Sequence, residues 1–160
     1  MKGNGGNIKM WGCLNRNGLG EYEIIEGNLN GNKYRNILSE KLLLSANKMD
    51  IEEDYILLQD NDPKHTCRIV KEFLREKEIN AFLDYPPCSP DLNPIENVWH
   101  NLKIEVGKRK AKNLEELRNN VKEAWTQMDL TKKIYFCNLV DSMPERLEAV
   151  IKAKGFHTNY

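Results

Sequence analysis

The sequence predicts a mixed α/β fold, and three features predict it. Tyr55 to Leu58 (Y-I-L-L) is a short, unbroken apolar run of the kind that suits a strand buried on both faces, as in a parallel sheet. Glu21 to Glu26 (E-Y-E-I-I-E) alternates charge and bulk behind the turn-forming stretch N-R-N-G-L-G, which reads as a hairpin. Ile95, Val98, Trp99, Leu102 and Val106 recur at i, i+3, i+4, i+7 and i+11, one face of an amphipathic helix. At 160 residues the chain fits one domain, 1–160, with a core over about 7–106 and C-terminal helices over about 113–155.

Taken in order, Ile8 to Leu14 is a first strand and Asn15 to Gly20 a turn rich in residues that tolerate positive φ. Glu21 to Glu26 returns antiparallel. Tyr34, Ile37, Leu38, Lys41, Leu42 and Ser45 carry helical spacing, giving a helix from about Lys33 to Lys48. The Tyr55–Leu58 run follows and ends in Gln59-Asp60-Asn61-Asp62-Pro63. Next comes a helix with Ile69, Val70, Phe73 and Leu74 on one face, then a short strand from Ala81 to Leu83. Four of the six prolines fall between Pro86 and Pro94, and each disfavours helix at the residue before it, so this stretch reads as extended loop. Asn93-Pro94 opens the helix of Trp99. Asn113 to Gly155 reads as two or three helices, broken at Met143-Pro144. Crossover helices between buried strands call for parallel pairing after the hairpin, and thus a mixed sheet flanked by helices.

Composition excludes several classes. With 40% hydrophobic and 30% charged residues, the chain has enough apolar material for a core. No apolar run approaches the roughly 20 residues that span a bilayer, so no membrane partner is expected. Met1 to Gly6 is polar and glycine-rich, unlike a secretory signal. Cys13, Cys67, Cys88 and Cys137 are scattered without a C-x-x-C pair, which favours a reducing interior over disulfide staples or structural zinc. Cys67 and Cys137 read as small buried hydrophobes, and Trp99 and Trp125 as core. The formal net charge is +0, and the one basic concentration is Lys103, Lys108, Arg109, Lys110 and Lys112. Those residues are either DNA contacts or a solvated helix end.

Two carboxylates stand out. Asp60 closes the Y-I-L-L strand, where ligand sites gather in open α/β sheets. Glu96 lies in the first turn of the helix after the proline loop, with thirty-five residues between it and Asp60. Converging carboxylate oxygens suit Mg²⁺ or Mn²⁺, which activate an attacking hydroxyl in phosphoryl transfer. The competing reading is local. Asn93-Pro94-Ile95-Glu96 has an N-cap residue, proline at N1 and glutamate at N3, so Glu96 also fits a capping box. Asp62-Pro63 reads as a second N-cap. His65 is read as orienting a neighbouring carboxylate or capping the helix, in preference to ligating.

The segment Gln59-Asp60-Asn61-Asp62-Pro63-Lys64-His65-Thr66 resembles a signature of Tc1/mariner-type transposases. Ser89-Pro90-Asp91-Leu92-Asn93-Pro94-Ile95-Glu96-Asn97-Val98-Trp99 resembles a second. Trp11-Gly12-Cys13, Ser142-Met143-Pro144 with Arg146-Leu147, Lys154-Gly155 and the ending Thr158-Asn159-Tyr160 are similar to further landmarks, so the likeness runs nearly the whole chain. It implies an RNase H-like fold and a DDE triad of acids that bind two divalent cations, Mg²⁺ or Mn²⁺. By motif position Asp60 corresponds to the second acid and Glu96 to the third, with His65 and Asn61 as their neighbours. It further implies transposon-end DNA as partner, met by Lys64, Lys103, Lys108, Arg109 and Lys110, and a nuclear location.

The chain departs from the family pattern twice. The spacing from Asp60 to Glu96 is one residue longer than usual. In the family the first acid lies on a strand upstream of W-G-C, whereas only ten residues precede Trp11 here and none is acidic. The expectation is that this first, central strand is missing. Two facing edges would then carry unpaired backbone groups at roughly 1–3 kcal/mol each. The sheet would close up, borrow a strand from another chain or fold poorly. The function expected is that of a fragment of a catalytic domain for DNA cleavage and strand transfer, inactive alone. The alternative is a non-catalytic remnant that binds nucleic acid, a full-length transposase or itself.

Overall fold

The structure, a computed structural model, describes residues 2–3, 6–51, 55–82, 85–86, 89–156 and 158. Among the described residues the strands pair as three separate two-stranded ladders. β1 (Lys2–Gly3) and β2 (Gly6–Asn7) form a minimal antiparallel pair. β3 (Lys9–Asn15) and β4 (Gly18–Ile25) form the expected hairpin, with an irregularity between Gly12 and Leu14. Its turn is tighter than the sequence suggested. Only Arg16 and Asn17 lie outside the strands, and the Asn15 side chain accepts from the Asn17 amide at 2.8 Å.

The first long helix runs as α1 (Gly31–Ile37), a π-helical turn (Leu38–Leu42) and α2 (Leu43–Lys48). The Asn30 side chain caps its start by accepting from the Lys33 amide. β5 (Ile56–Leu57) pairs in parallel with β6 (Asn80–Ala81), as the crossover argument requires. The pairing is short, however, and Ile56 is 69% exposed, so β5 is not the doubly buried strand its composition implied. Leu83, the expected end of the β6 strand, lies outside the described residues.

The helix expected after Pro63 is two helices, α3 (Pro63–Thr66) and α4 (Arg68–Glu76). Cys67 separates them, with extended backbone at ψ 159. Val70, Phe73 and Leu74 are buried, but Ile69 is exposed. In the proline stretch, Pro90–Leu92 forms a 3-10 turn, not extended chain. Proline's fixed φ suits the first residue of such a turn, a placement its effect on the preceding residue did not reveal. α5 (Ile95–Lys108), α6 (Leu114–Thr131), α7 (Lys133–Asp141) and α8 (Met143–Lys152) complete the chain. None of the described helices is long and apolar enough to cross a membrane.

Two cores result. The larger joins Val98, Leu102 and Val106 of α5 to Leu117, Val121, Trp125 and Met128 of α6, and to Phe136 of α7. The smaller joins Tyr34, Leu38 and Leu42 to Val70, Phe73 and Leu74. Trp125 is core as expected. Trp99 is only half-buried, stacked on Trp125 with ring centroids 5.4 Å apart. Cys67 and Cys137 are half-buried as well, not interior.

Candidate metal centre

Asp60 lies just past β5 and just before α3, with its side chain 55% exposed. Two neighbours hold one of its oxygens. His65 Nδ1 stands 2.6 Å from Oδ1, and the Asp62 amide donates to the same oxygen at 3.1 Å. An ionised carboxylate only accepts, so the His65 proton sits on Nδ1. The His65 ring is itself packed against Tyr34, with centroids 4.1 Å apart. Tyr34 donates its hydroxyl to Gln59 at 2.7 Å, and burial, with the nearby Asp60 charge adding to it, pushes that phenol up. A buried aromatic thus fixes the imidazole, and the imidazole fixes the carboxylate.

Asp62 does what its sequence position predicted. Its side chain accepts from the Lys64 amide at 3.0 Å and caps α3, and it also pairs with the Lys64 ammonium. Its carboxyl is held below the usual range chiefly by that ammonium and then by the amide.

Glu96 is exposed in the first turn of α5. The capping box is not formed: α5 has no side-chain cap, and the helix begins at Ile95 with Pro94 in the capping position. The turn closes through backbone alone, Glu96 N–H to the Asn93 carbonyl at 3.0 Å. Among the described residues the Glu96 carboxylate has neither a hydrogen bond nor an ion pair.

The two acids share one buried neighbour. Tyr85, 4% exposed, has its phenol pushed up to about 12 by burial first and then by the negative charges of Asp60, Asp91 and Glu96. Its carbonyl accepts from the Asn61 side chain, and its hydroxyl donates to the Ser89 carbonyl. On the Glu96 side, Arg146 of α8 is 2% exposed and donates to the Asp91 carbonyl at 2.8 Å and to the Asn97 side chain at 3.0 Å. Thr158 donates to the Asp91 carboxylate at 2.9 Å. Tyr85 and Arg146 escaped the sequence reading as site residues. A tyrosine before a double proline and an arginine inside the Ser142-Met143-Pro144 landmark were the available signals.

The basic residues divide. Lys64 and Lys103 line one groove of about 660 Å³, together with Lys9 and Trp99. Lys108, Arg109 and Lys110 lie at the far end of α5, on the order of 18 Å along the axis from Glu96 at 1.5 Å per residue. There Lys108 pairs with Glu105 at 3.0 Å, and Arg109 pairs with Glu123 at 2.7 Å and donates to Gln127 at 3.0 Å. Among the described residues no group of three or more His, Cys, Asp or Glu side chains is arranged to hold a metal ion. Cys88 lies outside them.

The family model of the DDE superfamily endonuclease matches residues 1–118. The chain is 33% identical to the transposable element Tc1 transposase of Caenorhabditis elegans over 160 residues, all of this chain and 57% of that relative. It therefore spans little more than half of the relative's length. Among solved structures, the catalytic domain of Mos1 mariner transposase superposes with a TM-score of 0.82 at 19% identity, covering 95% of this chain and 76% of that one. The Mos1 mariner paired end complex with Mn gives 0.82 at 20% identity, covering 95% and 45%. The RNase H-like fold expected from the motifs is the one these structures share with it. With about three-quarters of its length inside the family model, the chain belongs to the DDE superfamily endonucleases.

Proposed function

We propose that Asp60 and Glu96 jointly grip a divalent cation, Mg²⁺ or Mn²⁺, and that the chain is a catalytic-domain portion of a transposase that cuts and joins transposon-end DNA in the nucleus. The observation that supports this reading is the shared neighbour: Tyr85 is bonded to Asn61, beside Asp60, and to Ser89, at the start of the turn that leads into the helix of Glu96. The donor set fits a hard cation. Glu96 is exposed and unpaired among the described residues, and Asp60 engages His65 and the Asp62 amide through Oδ1 only. All the donors are carboxylate oxygens, as Mg²⁺ and Mn²⁺ prefer.

A cation bound there would stabilise charge on the phosphoryl oxygens and activate the attacking hydroxyl. The protein's part is to hold the acids still. His65 keeps Asp60 oriented, and the backbone turn from Asn93 keeps Glu96 pointing outward. Lys103, on the groove, offers positive charge to a phosphate backbone, whereas Lys64 on the same groove is already paired with Asp62. Lys108 pairs with Glu105 of its own helix and Arg109 with Glu123 of α6, so both contribute less. Two carboxylates grip a cation more weakly than three, so the chain by itself binds Mn²⁺ without nicking DNA.

An electron paramagnetic resonance titration of the chain with Mn²⁺ tests this. Asp60→Asn and Glu96→Gln should each weaken binding by about tenfold or more while leaving the circular dichroism melt unchanged. Mn²⁺ affinity indifferent to both substitutions would remove the site. Nicking of plasmid DNA that disappears in Asp60→Asn would remove the statement that the chain alone is inactive.

A further inference from the structure

We infer that Tyr85 is a positioning residue for the proposed cation site, a bridge that sets the separation of Asp60 and Glu96. The inference rests on the reading of those two acids as metal-binding. Asp60 and Glu96 are carried by different elements, the loop after β5 and the first turn of α5, and no direct hydrogen bond joins the two among the described residues. Tyr85 bonds to both sides. Through its backbone carbonyl it holds the side chain of Asn61, the residue next to Asp60. Through its hydroxyl it holds the carbonyl of Ser89, which opens the 3-10 turn leading into α5.

The ring between these two contacts is buried, so the bridge is stiff. A tyrosine buried with its hydroxyl partnered loses little freedom on binding and adds little entropy cost to a site held in place. The 3-10 turn it anchors is held from the other side by Arg146, so Tyr85 ties that braced turn to the Asp60 loop. The side chain reaches no further. Its hydroxyl proton is committed to the Ser89 carbonyl, which gives it a positioning role.

The experiment uses the chain with Mn²⁺ alone as probe and reads the dissociation constant and the melting temperature in parallel. Tyr85→Phe keeps the ring and removes one contact of the bridge, and Asn61→Ala removes the other. Each should weaken Mn²⁺ binding by about tenfold, the range seen when residues that orient metal ligands are changed. The double variant should be no weaker than either single one, because cutting a bridge twice adds nothing. Wild-type affinity in Tyr85→Phe, with binding lost in Asp60→Asn, would overturn the bridge and leave the metal site standing. Affinity losses that merely follow falls in melting temperature across the variants would also overturn it, because Tyr85 would then act on the fold. A wild-type chain that takes up no Mn²⁺ would overturn the site and the bridge together.

Discussion

Arg146 on α8 donates through Nη1 to the backbone carbonyl of Asp91, fifty-five residues earlier, at 2.8 Å. The same guanidinium reaches the Asn97 side chain at 3.0 Å and the Ser142 hydroxyl at 2.9 Å. Three elements, α8, the 3-10 turn and the start of α5, are therefore tied by one side chain that is 2% exposed. Arg146→Met keeps most of the volume and strands the three acceptors. At about 1–3 kcal/mol for a buried group left unsatisfied, the loss should be about 2–4 kcal/mol in urea denaturation, a large share of the 5–15 kcal/mol typical of a whole domain. Arg146→Lys should recover only part of it, because a lysine cannot present a planar fork to several acceptors. Equal stability of wild type and Arg146→Met would show that α8 does not brace the turn.

Gly12, in the Trp11-Gly12-Cys13 landmark, has a packing reason to be glycine. A Cβ there would come within 2.6 Å of Trp125 Cη2 and within 3.0 Å of Trp99 Cη2. Both indoles belong to the larger core, and the Trp125 ring nitrogen is pinned by donating to the Gly20 carbonyl at 3.0 Å. The ring cannot retreat cheaply. Gly12→Ala should destabilise the chain by about 1–3 kcal/mol, the usual cost of overpacking, and should shift the tryptophan emission. An unchanged urea midpoint would mean that the indole pair yields to a methyl group.

Asp62 gives a pH signature. Its carboxyl lies below its ordinary value in the folded chain because of the Lys64 ammonium and amide. A depressed carboxyl contributes stability that is complete above the unfolded value, near 3.8, and is lost as pH falls through the lower folded value. Asp62→Asn keeps an oxygen for the Lys64 amide but removes the charge, so the gap between wild type and Asp62→Asn should be present at pH 7 and shrink toward pH 3. Asp62→Ala should cost about 1 kcal/mol at pH 7 through loss of the cap. A wild type to Asn gap that stays constant from pH 7 to pH 3 would contradict the ion pair.

The parts of this fold legible in the sequence were those with a period. The hairpin, the apolar stripe of α5 and the break at Met143-Pro144 all follow from side-chain spacing within one element, and the structure has each of them. The parts that were not legible depend on partners far along the chain. β5 was read as buried on composition, but a two-residue ladder with β6 leaves Ile56 in solvent. The capping box fitted Asn93 to Glu96 by pattern, but the residue in the capping position there is Pro94, with helical φ and ψ. A related pattern forms at Asn113 and Glu116, where Asn113 accepts from the Glu116 amide at 2.8 Å and Glu116 accepts from the amide of Lys112, one residue before the cap, at 2.8 Å.

The candidate site divides in the same way. Asp60, Glu96, Asp62 and His65 sit in contiguous motifs, so their identity could be seen in the sequence, and His65 does meet Asp60. Tyr85 and Arg146 act through backbone carbonyls of other segments, and a carbonyl leaves no trace in residue identity. Lys108 and Arg109 looked like part of a basic cluster, yet helical rise carries them away from Glu96, toward Glu105 on the same helix and Glu123 on α6.

β3 faces two ways at once. Met10 and Leu14 pack on the larger core, while Trp11 packs on the smaller. Successive strand side chains point to opposite faces, so the strand is a partition whose parity decides which core each residue enters. Inserting or deleting one residue ahead of Trp11 would exchange the occupants wholesale, sending an indole where a thioether belongs. A two-residue insertion would restore the parity, and with it both interiors.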